Sequence, residues 1–128
     1  MIVREKLINE YPLSKKIDCD FDCYEAIKRR YVLFYDEIIN RNNMELLLEK
    51  FDEAIRGKVP KMKRTLIVVG KTNEQFKPED LFFFNGVDTF IVYYLIGDNN
   101  EIYFNNKRIF WFSSDWNKIV DRFNEILK

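Results

Sequence analysis

The segment Thr89-Phe90-Ile91-Val92-Tyr93-Tyr94-Leu95-Ile96 decides how the rest of the chain must fold. It is rich in β-branched and aromatic residues, it has the length of a strand, and Gly97-Asp98-Asn99-Asn100 ends it. Side chains alternate along a strand, so Phe90, Val92, Tyr94 and Ile96 share one face and Ile91, Tyr93 and Leu95 the other. Both sets are apolar. A sheet with one wet face alternates apolar and polar residues, so both faces at the centre of this sheet require cover. Helices of the same chain can provide it, and so can a partner protein or a second copy in a homodimer.

The same alphabet continues on either side. Thr65-Leu66-Ile67-Val68-Val69 is a β-branched run closed by Gly70, and Leu81 to Phe84 meets Asn85-Gly86, a dipeptide suited to a hairpin turn. Downstream, Glu101 to Phe104 and Arg108 to Phe112 flank the turn Asn105-Asn106-Lys107. These segments predict an antiparallel β-meander of four to five strands. A helix follows, capped by Ser113, Ser114 or Asp115, with Trp116, Ile119, Val120, Phe123, Ile126 and Leu127 on one face.

The first half shows steps of three and four. Tyr24, Ile27, Tyr31, Phe34, Tyr35 and Ile38 predict a helix over 21–41, with Asp18, Asp20 and Asp22 at its N-terminus to complement the dipole. Asn42 or Asn43 caps a second helix carrying Met44, Leu47, Leu48, Phe51, Ala54 and Ile55, which Gly57 and Pro60 stop. Residues 1–17 read as a short strand or a helical turn. The expected fold is α+β in a single domain, 1–128: an N-terminal helical hairpin, the meander, and a C-terminal helix packed on the sheet.

Composition agrees with a folded globule. Of 128 residues, 47% are apolar, 33% are charged, and the rings comprise 12 Phe, 7 Tyr and 2 Trp. A chain of this size buries roughly two-thirds of its unfolded surface without needing staples. The 21 basic and 21 acidic residues cancel. Residues 1–64 carry 14 basic and 12 acidic side chains and the remainder 7 and 9, which gives neither half the positive excess that phosphate-driven nucleic-acid binding requires. Cys19 and Cys23 are one pair and make no disulfide framework. The N-terminus lacks the pattern of a signal peptide, and no segment approaches the ~20 apolar residues of a spanning helix. The expectation is a cytoplasmic protein that does not enter the membrane.

The chain has no histidine, which removes the usual triads, histidine metal sites and the ready proton shuttle at neutral pH. Gly70-Lys71-Thr72 resembles the end of a phosphate-binding loop, but Thr65 stands where the first glycine belongs. Asp18, Asp20 and Asp22 alternate as in a calcium loop, but Cys23 and Arg29 occupy the glycine and glutamate positions. No catalytic, cofactor or metal residue is therefore assigned, no cofactor is expected, and the protein is read as not an enzyme.

The size, the ring-rich core and the high Lys, Asn, Ile and Phe content resemble those of small accessory proteins of bacteria and their phages, including immunity proteins and phage-encoded inhibitors. The likeness is one of style and attaches to no motif. The expected function is non-enzymatic binding of another protein, as an inhibitor or immunity-type protein does, with Tyr and Trp as favoured anchors. A second reading is a small-molecule cup on a curved sheet, lined by Tyr93, Tyr94, Tyr103 and Trp111. A third is nucleic-acid binding through the basic segment Arg56, Lys58, Lys61, Lys63 and Arg64, which the neutral overall charge makes the least favoured.

Overall fold

A computed structural model describes residues 2–10, 13, 15–27, 30–58, 64–85, 89–104, 118, 121–123 and 125–126. In chain order these form α1 (Ile2–Glu10), β1 (Lys15–Lys16), β2 (Asp22–Ile27), β3 (Arg30–Ile38), α2 (Met44–Ala54), β4 (Arg64–Lys71), a 3-10 turn (Pro78–Leu81), β5 (Phe82–Asn85), β6 (Thr89–Ile96) and β7 (Ile102–Phe104). Residues 118, 121–123 and 125–126 are helical. The protein is α+β, as expected. Among the described residues no helix is long and apolar enough to cross a membrane.

Among the described residues the sheet has seven strands in the order β1-β2-β3-β4-β6-β5, with β7 also paired to β6. It is mixed, and this corrects the expected antiparallel meander: β3, β4 and β6 run parallel to one another. The antiparallel pairs lie outside them, at β1–β2, β2–β3, β5–β6 and β6–β7. The physical reason is already present in the central runs. Strands buried on both faces lie where crossover elements cover both sides, which is the setting of parallel pairing.

The register aligns the three parallel strands in rows. Tyr31, Leu66 and Ile91 form one row and Leu33, Val68 and Tyr93 another, both on the first face. Val32, Ile67 and Val92 alternate with Phe34, Val69 and Tyr94 on the second. On the first face α2 buries Met44, Leu47, Phe51 and Ile55 against the sheet, with Phe76 and Leu81 from the β4–β5 connection. On the second, Leu7 of α1 packs with the helical Phe123 and Ile126. Each fully buried side chain of this kind contributes about 1.5–3 kcal/mol. The expectation that both faces are covered within one chain therefore holds, but the covering elements differ.

Residues 21–41 are not a helix, so the expected helical hairpin does not form. Residues 22–27 and 30–38 instead form the antiparallel strands β2 and β3, in which Cys23 faces Leu33 and Tyr24 faces Val32. The helical period selected Tyr24, Ile27, Tyr31, Phe34, Tyr35 and Ile38 and passed over Val32 and Leu33. Tyr31 to Tyr35 is a run of five apolar residues, all buried. On a helix such a run would wrap round every side, whereas a central strand places it on two covered faces.

The second predicted helix exists as α2. Asn43 occupies its N-cap but makes no side-chain capping bond. Its amide nitrogen instead donates to the Ile38 carbonyl at 2.9 Å, and the Asn40 side chain accepts from the Asn42 and Asn43 backbones. Gly57, at φ +76°, turns the chain after the helix as expected. Gly70 lies in close packing: a Cβ there would lie 2.6 Å from Ile39 Cδ1, so the buried Ile39 side chain would have to shift. Thr72, buried beside it, accepts from the Glu74 backbone at 3.1 Å, so Gly70-Lys71-Thr72 serves the exit of β4. The predicted strand 108–112 and the caps at 113–115 lie outside the described residues.

Candidate functional site

A concavity among the described residues opens at the carboxyl end of β3. It is a cleft of about 380 Å³ lined by Arg4, Asp20, Phe21, Asp22, Phe34, Tyr35 and Asp36. Three elements build it. The β1–β2 loop supplies Asp20 and Phe21, and the first residue of β2 supplies Asp22. The Ile17 amide donates to the Cys23 carbonyl at 2.8 Å and the Cys23 amide to the Phe21 carbonyl at 3.0 Å, and these bonds hold the loop. The end of β3 supplies Phe34, Tyr35 and Asp36, since Asp22 and Phe34 are ladder partners. Helix α1 supplies Arg4.

The aromatic wall is fixed from behind. Phe21 meets Phe51 of α2 edge-on, with centroids 4.9 Å apart, and Tyr35 at 6.3 Å. Tyr35 also contacts Phe51 at 5.9 Å. Its hydroxyl donates to Glu37 Oε2 at 2.8 Å, and burial, helped by that carboxylate, pushes the phenol up to about 12. Phe21, half-buried and held by the buried Tyr35 and Phe51, is thereby ordered before any partner binds.

The inner wall holds a charge pair. The Arg4 guanidinium donates to Asp22 through Nε and Nη2, the latter to Oδ1 at 3.3 Å, and Nη2 also donates to the Tyr24 hydroxyl oxygen at 3.2 Å. The same guanidinium lies 5.7 Å from the Phe34 ring centre. Burial alone would raise the Asp22 carboxyl. Hydrogen bonds from Arg4 and Tyr24, with the charges of Arg4 and Lys16, outweigh it and hold the group below its ordinary value. Arg4 is raised, first by its hydrogen bond to Asp22. Asp20 and Asp36 are exposed at the mouth. Among the described residues no group of His, Cys, Asp or Glu could hold a metal ion.

The residues predicted for a site are scattered. Tyr93 and Tyr94 are buried on opposite faces of the sheet, so they cannot line one cup. The Tyr93 hydroxyl donates to the Met44 carbonyl at 2.7 Å, which ties β6 to α2. Burial raises both phenols. Tyr94 packs against Phe104 and Phe123, and its hydroxyl finds no hydrogen-bond partner among the described residues. Tyr103 shares the first face with Tyr93, meets Phe76 edge-on at 6.1 Å and donates to Glu101 at 3.3 Å. Trp111 lies outside the described residues.

The basic segment is also divided. Arg56 and Lys58 are exposed, and Lys58 donates to the Asp18 carbonyl. Arg64 is only 2% exposed and pairs with Asp52 of α2, so it adds no charge to a surface patch. Lys61 and Lys63 lie outside the described residues. Asp18, Asp20 and Asp22, expected at a helix N-terminus, belong to a loop and the start of a strand. Cys19 and Cys23 are free, and burial pushes the Cys23 thiol up to about 12.

Sequence reasoning missed the cleft because it placed its walls on a helix. The available signal was the sharp change from five apolar residues to Asp36-Glu37, which marks where a buried strand leaves its cover. Comparison with protein-family models, with curated proteins and with solved structures finds no match for this chain.

Proposed function

We propose that this protein acts by binding another protein, in the manner of an inhibitor or immunity-type protein, and that the cleft at the end of β3 is its contact point. The observation that carries this reading is the preorganised wall of Phe21 and Tyr35, fixed from behind by Phe51 and bordered by exposed carboxylates at Asp20 and Asp36. A rigid aromatic centre within a polar rim is the usual anatomy of a binding surface. The cleft offers position and charge, and its groups are spoken for: Asp22 by Arg4, and the Tyr35 hydroxyl by Glu37.

The test compares wild type with Asp36→Lys and Asp20→Lys, both at exposed positions. Wild-type protein immobilised in an extract of its own cells should retain a partner in fixed stoichiometry, verified by light scattering of the purified complex. Either variant should lose that partner while keeping its melting temperature. Turnover of nucleotides or esters by purified protein, abolished by the same substitutions, would overturn the proposal.

A further inference from the structure

The cleft already contains one guanidinium, and it shows how the site recognises charge. Arg4 is held by a carboxylate, Asp22, and lies against a ring, Phe34. The outer half of the cleft repeats those two ingredients with the exposed Asp20 and Asp36 as carboxylates and the half-buried Phe21 as the ring, while Tyr35 is buried against Phe21. Resting on the binding reading above, we infer that the group this outer half takes from a partner protein is an arginine side chain. A guanidinium can pair with a carboxylate through its fork while its flat face lies on an aromatic ring, and an ammonium can do only part of this.

The surroundings favour a cation over the alternatives. Nearby positive groups are already engaged: Arg4 with Asp22, and Lys58 with the backbone carbonyl of Asp18. Lys16 contributes only charge toward Asp22. An anionic group entering the cleft would meet the carboxylates of Asp20, Asp22 and Asp36. A purely apolar group would strip water from Asp20 and Asp36 with nothing in return. Arg4 occupies the third acid of the cleft, Asp22, from within the chain. Its removal frees Asp22, so the cleft binds an incoming guanidinium more tightly without it.

The experiment is a titration of the isotope-labelled full chain, followed by amide chemical shifts, with hexa-arginine, hexa-lysine and hexa-glutamate peptides. Hexa-arginine should shift amides at 20–22 and 34–36 first and bind several-fold tighter than hexa-lysine, and hexa-glutamate should leave those amides in place. The double variant Asp20→Asn/Asp36→Asn should weaken hexa-arginine about tenfold, the sum of two partly exposed charge contacts. Arg4→Gln should strengthen it several-fold. Because Arg4 also ties α1 to β2, its variant is scored only alongside an unchanged amide spectrum over β3, β4 and β6, and the double Asn variant carries the test by itself if that spectrum changes. Shifts scattered away from the cleft, or equal binding by the double variant, would overturn the inference. A captured partner held as tightly by Asp20→Asn/Asp36→Asn as by wild type would overturn the arginine assignment and leave the binding reading standing. Catalytic turnover by a chain that still seats hexa-arginine in the cleft would do the reverse.

Discussion

Tyr94→Phe should stabilise the protein, and Tyr93→Phe, one residue away on the same strand, should destabilise it. Both side chains are almost fully buried, at 2% and 1% exposure, so removing either oxygen changes little apolar area. They differ in what the oxygen touches. The Tyr93 hydroxyl donates to the Met44 carbonyl at 2.7 Å, and losing a neutral bond of that kind costs about 1 kcal/mol. Among the described residues the Tyr94 hydroxyl has no hydrogen-bond partner, and it lies among the rings of Phe104 and Phe123. A buried hydroxyl left unsatisfied carries a penalty of about 1–3 kcal/mol. Its removal should return about 1 kcal/mol, the lower end, because the neighbouring rings are free to relax. The two variants should therefore differ by about 2 kcal/mol, and their melting temperatures should lie about 3–5 °C either side of wild type. Urea unfolding followed by circular dichroism, with the slope against denaturant unchanged, measures both. Destabilisation of Tyr94→Phe by 1 kcal/mol or more would refute the reasoning, since it would mean that the hydroxyl is satisfied in solution.

Three further outcomes follow from the packing. Asp52→Ala should cost about 3 kcal/mol, because it leaves the buried Arg64 guanidinium without its carboxylate, and Asp52→Ala/Arg64→Met should recover most of the loss in a double-mutant cycle. Gly70→Ala should cost about 1–3 kcal/mol through its clash with Ile39, and Ile39→Val in the same chain should relieve part of it in the same unfolding assay. The Asp22 carboxyl is lowered in the folded state, so its contribution is complete above its ordinary value of 3.8 and fades as pH falls through the lower folded one. Asp22→Asn should accordingly flatten the loss of stability below about pH 4 that wild type shows in acid unfolding curves.

The strands from residue 64 onward were legible in the sequence; β1, β2, β3 and the topology were not. β6 matches the expected segment Thr89–Ile96, and β4, β5 and β7 begin or end within two residues of theirs. Local pattern supports such segments because β-branched runs and turn residues act within a few positions. Strand direction is decided by what connects the strands, and the helix-length segment between β3 and β4 was read as half of a helical hairpin. The error at 21–41 came from Tyr31 to Tyr35, where helical and strand periods both find matches and only the covered faces on both sides arbitrate. The cleft was illegible for a related reason. Arg4 and Asp22 are 18 positions apart, and their meeting depends on where α1 lies on the second face.

The pairing of β6 also has a consequence for the route by which the chain folds. β5 lies along its first half and β7 along its second, on the edge opposite β4. Both neighbours are adjacent in the chain and close small loops, whereas β4 and β3 join only after long connections have been closed. The antiparallel trio β5–β6–β7 can therefore serve as a nucleus on which β4, then β3 and β2, are laid down in turn. Substitutions in that trio, such as Leu95→Ala, should slow refolding. Those in the outer parallel strand, such as Val32→Ala, should act mainly by hastening unfolding.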